Sequence, residues 1–360
     1  MYTMALAAMI SFGVALAILP FLSRFAFRIG LLDYPEERKV HAAPKPLVGG
    51  IGITLALFVS ALLFVPNESL YGLYAGSAML LVIGFIDDYR ESTHRWKFLV
   101  QIFAAIVMMN LSRGTFLLSF GDIFSTGAIT LGVLAVPATI FCTIGVVNAI
   151  NMADGLDGLA GGISLIALST FAAAAYIDHQ TDLFMLALVL IGALIGFLRY
   201  NWYPSKLFMG DSGSLVLGFI LAFFSIRLTQ QSGAGISPVV PLLVLAVPII
   251  DTVTVMFKRM FRNKSPFCAD NNHMHHLLMK LGFSHMATVM VILSITAFFA
   301  LVALCGTVAR LHDYFFFTVF ACYFVLHVTG SFVLDLFINR GIIFVSRKEK
   351  VARSRMATGL

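Results

Sequence analysis

The chain has 360 residues, 59% of them hydrophobic and 12% charged, with a formal charge of +6 at pH 7. A mean hydropathy of +0.94 excludes a water-soluble domain of this length and makes the fold class an all-α polytopic membrane protein. The positive excess is no pointer to nucleic acid, because the Lys and Arg are distributed as a membrane-orientation signal.

Crossing the hydrocarbon takes about 20 apolar residues. The first such window, at about 3–22, has no Lys or Arg before it and no small-residue cleavage pattern after it, so it reads as a retained helix and not a removable leader. Ten more follow, at about 47–66, 70–86, 96–112, 128–150, 159–177, 182–199, 213–229, 236–257, 285–307 and 314–338. About 11 transmembrane helices put the termini on opposite sides. Of the 24 Lys and Arg, 21 fall in one set of connections with the C-terminal tail, and Arg113, Arg227 and Arg310 alone fall in the other. Positive residues stay on the cytoplasmic side, so the expected N-terminus is periplasmic and the C-terminus cytoplasmic. Residues 1–340 then form a single integral-membrane domain and residues 341–360 a basic cytoplasmic tail. Cys142, Cys268, Cys305 and Cys322 lie in spans or in a cytoplasmic loop and imply no disulfide framework.

The cytoplasmic segments hold the chemistry. In "RKVHAAPKPLVGG", residues 38–50, Lys39, His41 and Lys45 form a stiff basic loop whose Gly49 and Gly50 admit the close approach of a backbone or a lipid. In "GFIDDYRESTHRWK", residues 84–97, Asp87 and Asp88 end the third span, where a helix dipole disfavours a carboxylate by roughly 0.3–1 kcal/mol. Lys97, opening the fourth span, can neutralise those acids or bind phosphate.

In "NAINMADGLDGLAGG", residues 148–162, Asn151, Asp154 and Asp157 recur every third position, and on a continuous helix they share one stripe of hard oxygen donors. In "NWYPSKLFMGDSGSLVLG", residues 201–218, Asp211 precedes a helix start with Ser212 and Ser214 as candidate caps, and Phe208 offers a flat face to a base. Last, "KRMFRNKSPFCADNNHMHHLLMKLGF", residues 258–283, places His273, His275 and His276 beside Arg259, Arg262 and Lys264. No Cys or Asp completes a zinc set at the usual spacing, so diphosphate binding suits these residues better. His312 and His327, toward the outside or within a span, read as structural.

A solvated boundary accounts for one Asp pair at a helix end. Several such acids on one face, beside Lys and His, indicate a site for a divalent cation and a charged substrate. The rival class is a transporter, which needs polar groups at mid-depth and on both faces; here the external loops are short and nearly uncharged.

Taken in order, "RKVH…PLVGG", "DDYRE", "NAINMADGLDGLAGG", "FMGDSGSL" and "SPFCADNNHMHHLL" resemble the polyprenyl-phosphate N-acetylhexosamine-1-phosphate transferase family over about residues 20–285. The H-x-H-H pattern looks like the bacterial branch that starts O-antigen and common-antigen synthesis, and unlike the three consecutive histidines of the muramoyl-pentapeptide enzymes. The resemblance implies a cytoplasmic active site in a bacterial inner membrane, moving a sugar 1-phosphate from a UDP-N-acetylhexosamine to undecaprenyl phosphate. UDP-N-acetylglucosamine is the expected donor, with the N-acetylgalactosamine and N-acetylfucosamine analogues as alternatives. It also implies Mg2+, with Mn2+ as an alternative occupant, and a homodimer as a candidate assembly.

Residue by residue, the resemblance makes Asp87, Asp88, Lys97, His273, His275 and His276 catalytic. Asp87 carries two candidate roles, proton acceptor and positioning group. Asp211, with Asp88, Asn151 and Asp154, falls to the metal. Lys39, His41, Lys45, Asn151, Asp154, Asp157, Asn201, Phe208, Arg259 and Arg262 fall to the substrates, Asp157 at the uracil edge and Phe208 stacked on its ring. Where many relatives carry Arg before the Val-Gly-Gly turn this chain has Leu47, which leaves Lys45 as the nearby cation.

Overall fold

The computed structural model describes residues 2–35, 43–90, 92–112, 115–231, 233–263, 265 and 272–339. Lys39, His41, Lys264 and the tail at 341–360 lie outside the described residues.

With no water available in hydrocarbon, an apolar segment satisfies its backbone by closing its own hydrogen bonds as a helix. Among the described residues the chain does this in α1 (Tyr2–Ile29), α2 (Gly49–Phe64), α3 (Tyr71–Arg90), α4 (His94–Leu111), α5 (Ala135–Ala153), α6 (Leu159–Ile177) and α7 (Thr181–Asn201). There follow α8 (Asp211–Gln230), α9 (Val239–Val244), α10 (Ala246–Phe261), α11 (Met274–Lys280), α12 (His285–Val308) and α13 (Asp313–Asn339).

Eight of these are long and apolar enough to cross a membrane, against about eleven expected. The other three expected spans are helical too but fall outside those eight, each for an identifiable reason. α2 is apolar but has only 16 residues, and α4 begins with the charged His94-Arg95-Trp96-Lys97 stretch. The ninth breaks at Leu245 into α9 and α10, because Pro248 has no N–H to return to the preceding turn.

α8 is the axis of the bundle, with 89% of its apolar window buried against 6% for α13. It packs on α2, α3, α5 and α6, while α7 holds α1, α2 and α6 on its other flank. Small residues permit this closeness. A methyl on Gly84 of α3 would strike the Ser212 backbone, and one on Gly50 of α2 would strike Gly213. Two short strands, β1 (Leu32–Asp33) and β2 (Lys45–Pro46), pair antiparallel with Leu32 opposite Pro46.

Candidate active site at one end of the helix bundle

α3 continues past its apolar stretch and carries Asp87 and Asp88 on its last turn, against its own dipole. Each carboxylate has a separate compensation. Asp87 Oδ2 lies 2.8 Å from Lys97 Nζ, and Asp87 Oδ1 accepts from the Ser92 amide at 2.7 Å and hydroxyl at 2.8 Å. Asp88 Oδ1 accepts from the Asp211 amide at 2.7 Å and Asp88 Oδ2 from the Ser212 amide at 3.1 Å. Those amides open α8 and have no acceptor within their own helix.

Asp88 is therefore a helix cap supplied from another element, which corrects one expectation, since neither Ser212 nor Ser214 caps α8. Asp88, expected at the metal, has each of its oxygens on an α8 amide. The Ser212 hydroxyl is buried without a hydrogen-bond partner among the described residues. The Ser214 hydroxyl donates to the Gly210 carbonyl at 3.1 Å and accepts from Asn151 Nδ2 at 2.8 Å.

Asp211, the first residue of α8, draws the other motifs together. Its Oδ2 is 2.8 Å from Lys97 Nζ, so one ammonium bridges Asp87 and Asp211. Its Oδ1 accepts from Asn151 Nδ2 at 3.1 Å.

The expected helical stripe of Asn151, Asp154 and Asp157 does not form, because α5 stops at Ala153 and Gly158 takes a left-handed φ of 79°. The turn sends the three residues to different neighbours. Asn151 faces Asp211. Asp154, at the end of α5, is pushed up to about 8 by burial and then by the charges of Asp211, Asp88 and Asp157. Asp157 turns away to a second cluster, where its Oδ2 accepts from the Ser205 amide at 2.9 Å and lies 3.7 Å from Lys45 Nζ.

That cluster explains the Pro and Gly of the basic loop. Lys45 Nζ donates to Ser205 Oγ at 2.7 Å and sits 4.7 Å from the centre of the Phe208 ring. The Phe208 amide donates to the Pro46 carbonyl at 2.9 Å, and the Gly49 and Gly50 amides donate to Phe208 and Met209 at 2.9 Å. The close approach that the glycines allow is thus to the backbone just before α8. Asn201 is buried, accepting from the Gly158 amide at 3.0 Å and donating to the Leu207 carbonyl at 3.0 Å. It fixes the two backbones that carry Asp157 and Phe208.

The histidine segment reaches the same end of the bundle. A methyl on Gly155 would collide with the His275 ring, so α11 is seated against the turn that follows Asp154. His275 is pushed down to about 3 by burial and then by His276, which keeps it neutral at pH 7. The His273 and His276 rings lie 5.8 and 4.2 Å from the His275 ring.

Two arginines expected at the substrates lie at the end of α10. Arg259 is buried in α10. Arg262 Nη2 lies 3.2 Å from Asp335 Oδ2 of α13, with Lys258 Nζ 2.8 Å from the same oxygen. Arg262 thereby ties the end of α10 to α13.

Several polar partners escape a motif-based reading: Ser92, Ser205, Asp251 and His285, whose ring lies tilted 4.5 Å from that of Tyr203. Only Asp251 carried a signal, being a charge inside an apolar span.

Among the described residues no three imidazole, thiol or carboxylate groups already form a cation cage. The chemistry of the donors nonetheless suits a hard cation. Asp211 and Asp154 supply oxygen, burial and then like charges favour a proton on Asp154, and Asp211 already takes positive charge from Lys97.

The model of glycosyl transferase family 4 matches residues 70–229. A Bacillus subtilis protein named probable undecaprenyl-phosphate N-acetylglucosaminyl 1-phosphate transferase is 37% identical over 311 residues, covering 84% of this chain and 85% of its own length. The Escherichia coli K12 undecaprenyl-phosphate alpha-N-acetylglucosaminyl 1-phosphate transferase is 32% identical over 347 residues, 93% of this chain and 92% of its own. That of Salmonella typhi is 35% identical over 288 residues, 78% of each chain.

Proposed function

Because the chain belongs to glycosyl transferase family 4, we propose that it transfers N-acetylglucosamine 1-phosphate from UDP-N-acetylglucosamine to undecaprenyl phosphate, releasing UMP. The observation that carries this reading is the ammonium of Lys97 held between Asp87 and Asp211. Acids from α3 and α8 and a lysine from α4 meet at the polar ends of apolar helices, where a lipid phosphate and a water-borne nucleotide can both reach.

Lys45, Phe208 and Asp157 form the nucleotide side. Phe208 offers its ring to uracil while the Lys45 charge lies near the diphosphate, and Asn201 holds their backbones in register. Asp211, Asp154 and Asn151 would hold Mg2+ or Mn2+, which when bound supplies charge neutralisation to the diphosphate and to departing UMP. The neutral His275, with His273 and His276, borders the sugar phosphate as a hydrogen-bonding group.

The acceptor needs little activation. A phosphate monoester has a second pKa of about 6 and is largely dianionic near pH 7. Asp87 already accepts from Ser92 and Lys97, so holding Lys97 in place suits it better than removing a proton. The product would open synthesis of a cell-surface polysaccharide of O-antigen or common-antigen type, with the site on the cytoplasmic face of a bacterial inner membrane.

The test is purified protein with Mg2+, UDP-N-acetylglucosamine and undecaprenyl phosphate, with UMP as the readout. Asp87→Asn is expected to lower UMP release by at least about 100-fold while UDP-sugar affinity stays near wild type. Counterflow of a solute without UMP would replace the transferase by a transporter, and competition among UDP-sugars fixes the donor.

A further inference from the structure

Asp251 lies in α10, outside the acids and bases assigned above, yet it is connected to them through α11. It is buried, and both of its oxygens point at the start of that short helix. Oδ2 is 2.8 Å from His273 Nδ1, and Oδ1 accepts from the Met274 amide at 2.7 Å. His327 of α13 approaches the same carboxylate, its Nε2 3.7 Å from Oδ1. The ring of Tyr323, one helical turn earlier, lies against His327 at 5.7 Å. Three helices thus converge on one buried carboxylate.

A buried charge in an apolar span is costly unless paired and hydrogen-bonded. Here the pairing fixes something useful. Accepting from Nδ1 sets the His273 tautomer and ring orientation, as carboxylates do for histidine ligands elsewhere. Accepting from the first amide of α11 sets where that helix begins. Since α11 is seated by His275 against Gly155, a shift at its start is felt beside Asp154.

We propose that Asp251 is the positioning residue of the histidine segment, with His327 of α13 close beside it, and that it acts on phosphoryl transfer through His273 and His275 without touching substrate. This rests on the transferase reading, so UMP release by the wild-type protein comes first, and its absence would remove that reading itself. With an active wild type, Asp251→Asn is expected to lower kcat about 10- to 100-fold, with KM for UDP-N-acetylglucosamine changed by less than about threefold. Asp251→Glu is expected to recover part of the loss.

A merely structural acid would also reduce activity, so the deciding measurement is a double-mutant cycle. In a His275→Gln background, Asp251→Asn should cost little further activity. Multiplicative losses, or wild-type kcat in the single variant, would overturn the proposal. If Asp251→Asn does not accumulate as folded protein, judged by its thermal transition in detergent, His327→Gln is measured in the same cycle and read by the same criteria.

Discussion

A pair of neighbouring acids, Asp87 and Asp88, looks like one feature in the sequence and is two in the structure. Asp87 is tied to Lys97 and Ser92, whereas Asp88 caps α8. Replacing a capping side chain with Ala costs about 0.5–2 kcal/mol. Asp88→Ala is expected to lower the thermal transition in detergent accordingly, and Asp88→Asn, which keeps one acceptor, to lower it less. Asp154 makes a prediction of opposite character. Its carboxyl is pushed up to about 8 from an ordinary 3.8, so the folded chain binds a proton there that the unfolded chain releases. Between those values stability without a cation should fall as pH rises. A cation must displace that proton, so Mg2+ affinity should rise from pH 6.5 to about 8.5 and level off above. Titrating UMP release against Mg2+ at several pH values checks the slope; a flat profile would detach Asp154 from the ion.

Among elements, the junction of α3 with α8 matters most, because it places Asp87 beside Asp211 and Asp88 over the α8 amides. Gly84 sets its closeness, since a methyl there would meet the Ser212 backbone, which cannot swing aside as a side chain could. Overpacking of this kind costs about 1–3 kcal/mol. Gly84→Ala should reduce both the thermal transition and UMP release, although Gly84 touches no substrate in this reading. Gly13, which has open space around it, is the control, and Gly13→Ala is expected to leave activity unchanged. The break between α9 and α10 also has a purpose at this scale. It lets α10 run alongside α5 and α13, presenting Asp251 to α11.

At the scale of the whole molecule, orientation is the open prediction. In a background freed of native cysteines, Thr126→Cys in the loop before α5 should react with a membrane-impermeant thiol reagent on intact cells. Thr93→Cys before α4 should react only after the membrane is opened; the reverse pattern would invert the topology. The sequence alone determined the membrane class, most of the helical segments and the five polar motifs, because hydropathy and residue type are local properties written in consecutive positions. It also marked Gly49 and Gly50 as points of close approach. It could not show that Asp88 serves α8, that Asn151 and Asp157 part company at a turn, that Arg262 belongs to Asp335, or that His327 reaches Asp251. The hydrogen-bonded pairings among these join residues 48 to 124 positions apart. Only helix packing decides which buried carboxylate faces which donor, since a charge in a low-dielectric interior takes whatever partner the neighbouring helix brings within reach.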